Sequence, residues 1–111
     1  MYKIAFGKNY QDLDIDPNEP SDKILKNFAK FADIKIENVV VCTLDRPRHN
    51  DLISSIRSTG ARIKLIPDGD VSAVIATSIE GSGIDMYMGI GGSPEGVLGA
   101  AALRCLGGKI Y

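Results

Sequence analysis

The 111-residue sequence has too few cysteines for a disulfide framework: Cys42 lies inside an apolar run, Cys105 inside a helical pattern, and neither stands at zinc-clip spacing. Both read as buried thiols of a reducing compartment, which points to the cytoplasm. There is no basic excess either. A formal net charge of -1 and a pI near 5.7 exclude a nucleic-acid or membrane-surface protein, since both functions need a dense cationic footprint to neutralise phosphates. No run of about 18 apolar residues exists to span a bilayer, and the N-terminus shows no charged-then-apolar signal pattern. The single histidine, His49, has no second histidine or cysteine at ligand spacing, the pattern of a structural residue, and no chemistry is assigned to it. Walker lysine loop, His-Glu-x-x-His and nucleophilic serine elbow are all missing.

What is present suits one α/β domain, with 44% hydrophobic and 24% charged residues. Lys3-Ile4-Ala5-Phe6 reads as a strand closed by Gly7, and a polar loop over 8–20 leads to Ser21, a candidate N-cap. The helix that follows has Ile24, Leu25, Phe28 and either Phe31 or Ala32 on its core face. Val39-Val40-Val41-Cys42-Thr43-Leu44 is a continuous, β-branched apolar run, as a central strand covered on both faces requires. Leu52, Ile53 and Ile56 mark a second helix ended by Gly60, and residues 63–66 a third strand. Val71, Val74, Ile75 and Ser78 share a helical face, residues 84–88 form a fourth strand, and Ser93-Pro94 opens a last helix. Lys109-Ile110-Tyr111 reads as the start of another strand that is cut off, so the chain looks like part of a larger protein. The alternation predicts a mostly parallel sheet with helices on both faces.

In such a sheet ligands bind outside the carboxyl ends of the strands, and three polar turns follow strands here. Arg46-Pro47-Arg48 sets two guanidiniums about a proline that stiffens the turn, a fork geometry that matches phosphate oxygens. Solvated surface arginines are the plainer alternative. Asp45 is either an N-cap or a partner that orients an arginine. Arg46, Arg48, Arg57, Arg62 and Lys64 make the middle of the chain locally basic, which suits a small anion better than a polyanion. Asp68-Gly69-Asp70 is either turn chemistry, with Asp70 capping a helix from Val71, or a pair of carboxylates for sugar hydroxyls. In Gly89-Ile90-Gly91-Gly92-Ser93-Pro94-Glu95-Gly96 the glycines permit close backbone approach to an anion at a helix start. Glu95 there is either a first-turn helix charge or a hard-metal ligand. Asp12, Asp14 and Asp16 alternate like a calcium loop, but the required glycine position is Pro17 and the bidentate glutamate position is Lys23. That loop is read as solvated.

Together Leu44-Asp45-Arg46-Pro47-Arg48-His49, Ile66-Pro67-Asp68-Gly69-Asp70-Val71 and Gly89-Ile90-Gly91-Gly92-Ser93-Pro94-Glu95-Gly96-Val97 resemble the class II fructose-1,6-bisphosphatases of bacteria, as does Ala100-Ala101-Ala102-Leu103-Arg104-Cys105-Leu106-Gly107-Gly108. The resemblance covers essentially the whole chain. It implies the second half of a sugar-phosphatase fold shared with lithium-sensitive phosphatases, and Mn2+- or Mg2+-dependent hydrolysis of the 1-phosphate of fructose 1,6-bisphosphate in gluconeogenesis. Some relatives also accept sedoheptulose 1,7-bisphosphate. Carried over by position, Arg46, Pro47, Arg48, Asp68, Gly69, Asp70 and Gly92 match substrate-contacting residues and Glu95 a metal ligand. Tyr2 does not align cleanly with the family's substrate tyrosine and is not carried over.

The family's remaining metal ligands lie in an N-terminal half that is absent, so residues 1–111 are expected to be a single substrate-binding half. One glutamate cannot hold two divalent cations, and the isolated chain is expected to be inactive. A non-catalytic sugar-phosphate-binding module is the alternative. The expected partner is a sugar bisphosphate, with no nucleic acid and no membrane, and a strand edge or face bared by the missing half predicts a homo-oligomer.

Overall fold

Apolar residues on alternate positions of five short strands build the sheet that organises this chain. The computed structural model describes residues 2–10, 12–79, 81–90 and 107–111. Its elements are β1 (Tyr2–Phe6), α1 (Ser21–Ala32), β2 (Val40–Leu44), α2 (Asn50–Ser58), β3 (Arg62–Ile66), α3 (Asp70–Ala76), β4 (Met86–Ile90) and β5 (Lys109–Ile110). Ile4, Phe6, Val41, Met86 and Met88 join one apolar cluster with Ile24, Leu25 and Phe28 of α1 and Ile56 of α2. Ala5, Cys42 and Tyr87, one position out of phase along the same strands, join a second cluster with Ala73 and Val74 of α3. Burial raises the Cys42 thiol above its ordinary value, in keeping with an inert core cysteine.

The strand order is β3-β2-β4-β1-β5, and the sheet is mixed where a mostly parallel one was expected. β2 pairs in parallel with β3 and β4, whereas β1 runs antiparallel to both β4 and β5. The centre of the order is therefore β4, and the run through Val39 and Leu44 is its neighbour. The reversal comes from the connection after β1. Because β1 is antiparallel, it ends at the sheet edge where β2 begins. The 12-residue α1 between them covers about 18 Å at 1.5 Å per residue, so the chain must first make a pass in the opposite direction. Segment 7–20 supplies that pass, held by buried Leu13 with Tyr10 and Ile15 packed against the core.

Local details also depart from the sequence reading. Ser21 is the first residue of α1 and gives its hydroxyl to Ser55 Oγ at 2.6 Å instead of capping, with Pro20 at the cap position. Phe28 is fully buried and Phe31 is 47% exposed, while Ala32 packs at the core margin. β4 starts at Met86, one residue after Asp85, whose N–H donates to Val40 O at 3.0 Å and whose carboxylate accepts the Val40 N–H at 2.8 Å. The last helix expected from Ser93, with Cys105, lies outside the described residues.

Lys109-Ile110-Tyr111 does extend the sheet, with Tyr111 N–H donating to Ile4 O at 2.8 Å. Asp14, read as merely solvated, fastens this strand: Lys109 Nζ and Tyr111 Oη each lie 3.1 Å from its Oδ1. The Lys109 and Tyr111 hydrogen bonds hold the Asp14 carboxyl below its ordinary value of 3.8. A carboxyl depressed on folding stabilises the native state above its unfolded value, and that contribution disappears as pH falls through the folded one. The protection of the Tyr111 amide, its exchange rate relative to the intrinsic rate at the same pH, is thus expected to fall below pH 4 before that of Met88 at the strand centre does, read by pH-dependent hydrogen exchange. Asp14 is 93% exposed, so the effect is local and salt-sensitive.

Candidate functional site

The site edge is where β2 and β4 leave the sheet and β1 enters it, with Tyr2 paired to Ile90. Arg46 precedes a proline, and its extended backbone (φ -134°, ψ 145°) is what proline imposes on the residue before it. Pro47–His49 then forms a single 3-10 turn leading into α2. Arg46 is half-buried and donates from Nη1 to its neighbour's carbonyl, Asp45 O, at 3.0 Å. Asp45 therefore meets Arg46 through its backbone, and among the described residues no side chain caps the turn at Pro47. Arg48 is exposed and donates from Nε to Ile90 O at 2.9 Å. No other hydrogen bond engages the Arg48 guanidinium among the described residues, and neither arginine has an ion pair there.

Asp45 N–H donates to Ile66 O at 2.8 Å, carrying the β2–β3 pairing past its last registered pair, Leu44 with Ile66. The Asp68-Gly69-Asp70 turn consequently opens at the same edge. Asp68 is exposed. Gly69 occupies the cap position of α3 with φ 83° and ψ 40°, a left-handed conformation that favours glycine, and no side chain caps the helix. The helix begins at Asp70, so capping by Asp70 of a helix from Val71 is corrected: position 69 is the cap, and glycine offers only its backbone.

The Arg46-Pro47-Arg48 turn and the start of the glycine-rich turn are brought together through Ile90. Gly89 is glycine for a reason of packing, since a Cβ there would lie 2.6 Å from Tyr87 Oη. Gly92 and Glu95 lie outside the described residues.

A model of the bacterial fructose-1,6-bisphosphatase family, glpX-encoded, matches residues 1–111. The chain belongs to that family. It is 54% identical over 88 residues to the D-fructose 1,6-bisphosphatase class 2/sedoheptulose 1,7-bisphosphatase of Gloeobacter violaceus, covering 79% of this chain and 25% of that protein. Proteins of the same description from Microcystis aeruginosa and Trichodesmium erythraeum are 50% identical over 94 residues and 48% over 104. These matches cover 85% and 94% of this chain and 27% and 29% of the two relatives. This member of the glpX-encoded family thus spans between a quarter and three-tenths of the length of those relatives.

The described edge presents two arginines, a solvent-facing Asp68 and a histidine engaged at both nitrogens. No group of three or more histidine, cysteine or acidic side chains stands together among the described residues, so these residues do not by themselves fit a divalent cation. An open cavity of about 790 Å3 lies at the opposite edge, bounded by Gly7, Tyr10, Val40, Ser78 and Asp85. Its lining includes neither arginine of the turn. Within the described residues no helix is long and apolar enough to cross a membrane.

His49 reads from the sequence as a structural residue, and the structure adds what it holds. It is fully buried and links two strand ends, Nδ1 lying 2.7 Å from Leu44 O and Nε2 accepting from Ile90 N–H at 2.8 Å. The available signal was its place directly after a strand-end arginine turn, where a surface residue would be expected.

Proposed function

We propose that this chain is the substrate-binding half of a metal-dependent sugar bisphosphatase acting on the 1-phosphate of fructose 1,6-bisphosphate, and also on sedoheptulose 1,7-bisphosphate. The observation that carries this reading is the Arg48 side chain, anchored by Nε to Ile90 O at 2.9 Å with neither terminal nitrogen hydrogen-bonded among the described residues. An anchored guanidinium meets phosphate with its fork already ordered, which is the condition for a short, bidentate contact. Arg46 supplies a second positive charge, and Pro47 fixes the turn between them. Asp68, Gly69 and Asp70 take sugar hydroxyls, and Gly92 lets the backbone close on the ligand.

Glu95 is the one metal ligand this chain contributes, to Mn2+ or Mg2+, and the rest of the longer relatives would supply the others. Bound metal ions would polarise the phosphate and provide the attacking water. Chain preceding Tyr2 would enter at the edge that holds Ile90, which is where such ligands are needed. In the intact enzyme this sheet is the second half of a sugar-phosphatase fold with helices on both faces, working in the cytoplasm as a homo-oligomer. Alone, residues 1–111 bind sugar phosphate without turnover.

Calorimetric titration with fructose 1,6-bisphosphate tests the reading. Arg48→Ala is expected to weaken binding about 10- to 100-fold, the range for losing a charge-assisted bidentate contact. Glu95→Ala should leave metal-free binding unchanged. Equal affinity of wild type and Arg48→Ala would refute the assignment, and phosphate release by the chain with Mn2+ at an enzyme-like rate would refute the claim of inactivity.

A further inference from the structure

The backbone of Ile90 is gripped on both of its polar groups by consecutive residues of one turn. Its carbonyl accepts from Arg48 Nε at 2.9 Å, and its N–H donates to His49 Nε2 at 2.8 Å. A backbone N–H can only donate, so Nε2 must present its lone pair. The ring proton then sits on Nδ1 and goes to Leu44 O at 2.7 Å, which makes His49 neutral. In that state the 3.3 Å approach of Nε2 to Ile90 O carries no hydrogen bond. One buried imidazole thereby ties the last residue of β2 to the last residue of β4, the two points from which the arginine turn and the glycine turn depart.

The order of dependence follows from burial. Arg48 is exposed and would sample many rotamers on its own, whereas His49 is fully enclosed. The carbonyl that anchors Arg48 belongs to a residue that is itself 38% exposed, at the end of its strand. Ile90 stays in place for Arg48 because its N–H is held from the interior by His49. Without the ring, the Ile90 N–H and the Leu44 carbonyl both lose partners, and the anchor of the guanidinium loosens with them.

We propose that His49 is a positioning residue of the anion site: through Ile90 it orders the Arg48 guanidinium and fixes the point from which the glycine turn starts. The purpose of this device rests on the sugar-phosphate reading of Arg48, but the device itself is measurable without any ligand.

The test uses the 111-residue chain labelled with 15N. In the wild type, ring nitrogen shifts should report a protonated Nδ1 and an unprotonated Nε2, with a scalar coupling between Nε2 and the Ile90 amide nitrogen. In His49→Ala, relaxation of the Arg48 Nε–H should show a side chain released to fast motion. Affinity for fructose 1,6-bisphosphate should fall about three- to tenfold, the range for having to order one long side chain on binding. His49→Gln places an acceptor near the Ile90 N–H and should recover most of both losses. An Arg48 as ordered in His49→Ala as in the wild type would overturn the proposal, as would an Ile90 amide without the coupling. Should His49→Ala fail to fold, His49→Gln and His49→Met, similar in volume but different in acceptor strength, carry the same comparison. If Arg48 loosens in His49→Ala while Arg48→Ala binds like the wild type, the positioning is supported and the sugar-phosphate reading falls.

Discussion

Phe28→Ala is expected to cost about 3–5 kcal/mol of folding stability, the range for emptying a buried aromatic site. Phe28 is fully buried and joins three parts of the fold. Its ring lies 6.1 Å from that of Phe6 in β1 and 4.8 Å, edge-on, from that of Tyr10 in the pass that precedes α1. Truncation removes both ring pairs, each contributing about 0.5–1.5 kcal/mol beyond area, and leaves a cavity between helix, strand and connection. A domain of this size is stable by about 5–15 kcal/mol in total, so the variant should be partly unfolded at moderate temperature. Urea unfolding measures the loss. Phe31→Ala, three positions along the same helix at a 47% exposed site, serves as control and should change stability by about 0.5 kcal/mol or less. Similar midpoints for the two variants would refute the packing described here.

Gly7→Ala is the second large effect. A Cβ at position 7 would stand 2.4 Å from the Thr77 carbonyl oxygen and 3.3 Å from Ser78 Cα. Both are backbone atoms and cannot rotate away. Thr77 is further fixed, its N–H and its hydroxyl both donating to Val74 O. The end of β1 and the residues after α3 must therefore separate, at about 1–3 kcal/mol for one inserted methyl in a close-packed contact, with the upper end expected here. At roughly 4–8 °C per kcal/mol for a small domain, thermal unfolding should drop by about 10 °C or more. An unchanged midpoint would mean that the two backbones are not in contact.

These two positions show what the sequence could and could not reveal. Helical spacing placed Phe28 on the core face but left Phe31 and Ala32 open. Periodicity gives the direction of a face, and the width of the buried stripe is set by α2 and segment 36–38 packing beside it. Gly7 reads from sequence as a strand stop, whereas its reason for being glycine is a carbonyl 70 positions downstream, at Thr77. The strands were legible because each is an apolar run bounded by turn residues. The direction of β1 was not, since the polar segment that reverses it carries no periodic pattern and is held by scattered residues, Tyr10, Leu13 and Ile15 in the core and Asp14 against Lys109 and Tyr111.

At the site, the arginine turn was legible as a strand-end feature. Its attachment to Ile90 was not, because the partners are 42 residues apart and one is a backbone carbonyl. Spacing rules search for metal or catalytic companions of a lone histidine, and a histidine that binds two peptides has none to find.

The placement of β1 also bears on biosynthesis. Among the described strands it is the first to be translated, yet its two neighbours in the sheet are β4 at residues 86–90 and β5 at 109–110. No described strand made in the interval pairs with it. Its pairing within this sheet has to wait while β2 and β3 emerge and pair in parallel. Within residues 1–111 closure of the sheet thus depends on strands made 80 or more residues after β1, a long-range pairing that is slow to form and exposed to mispairing meanwhile.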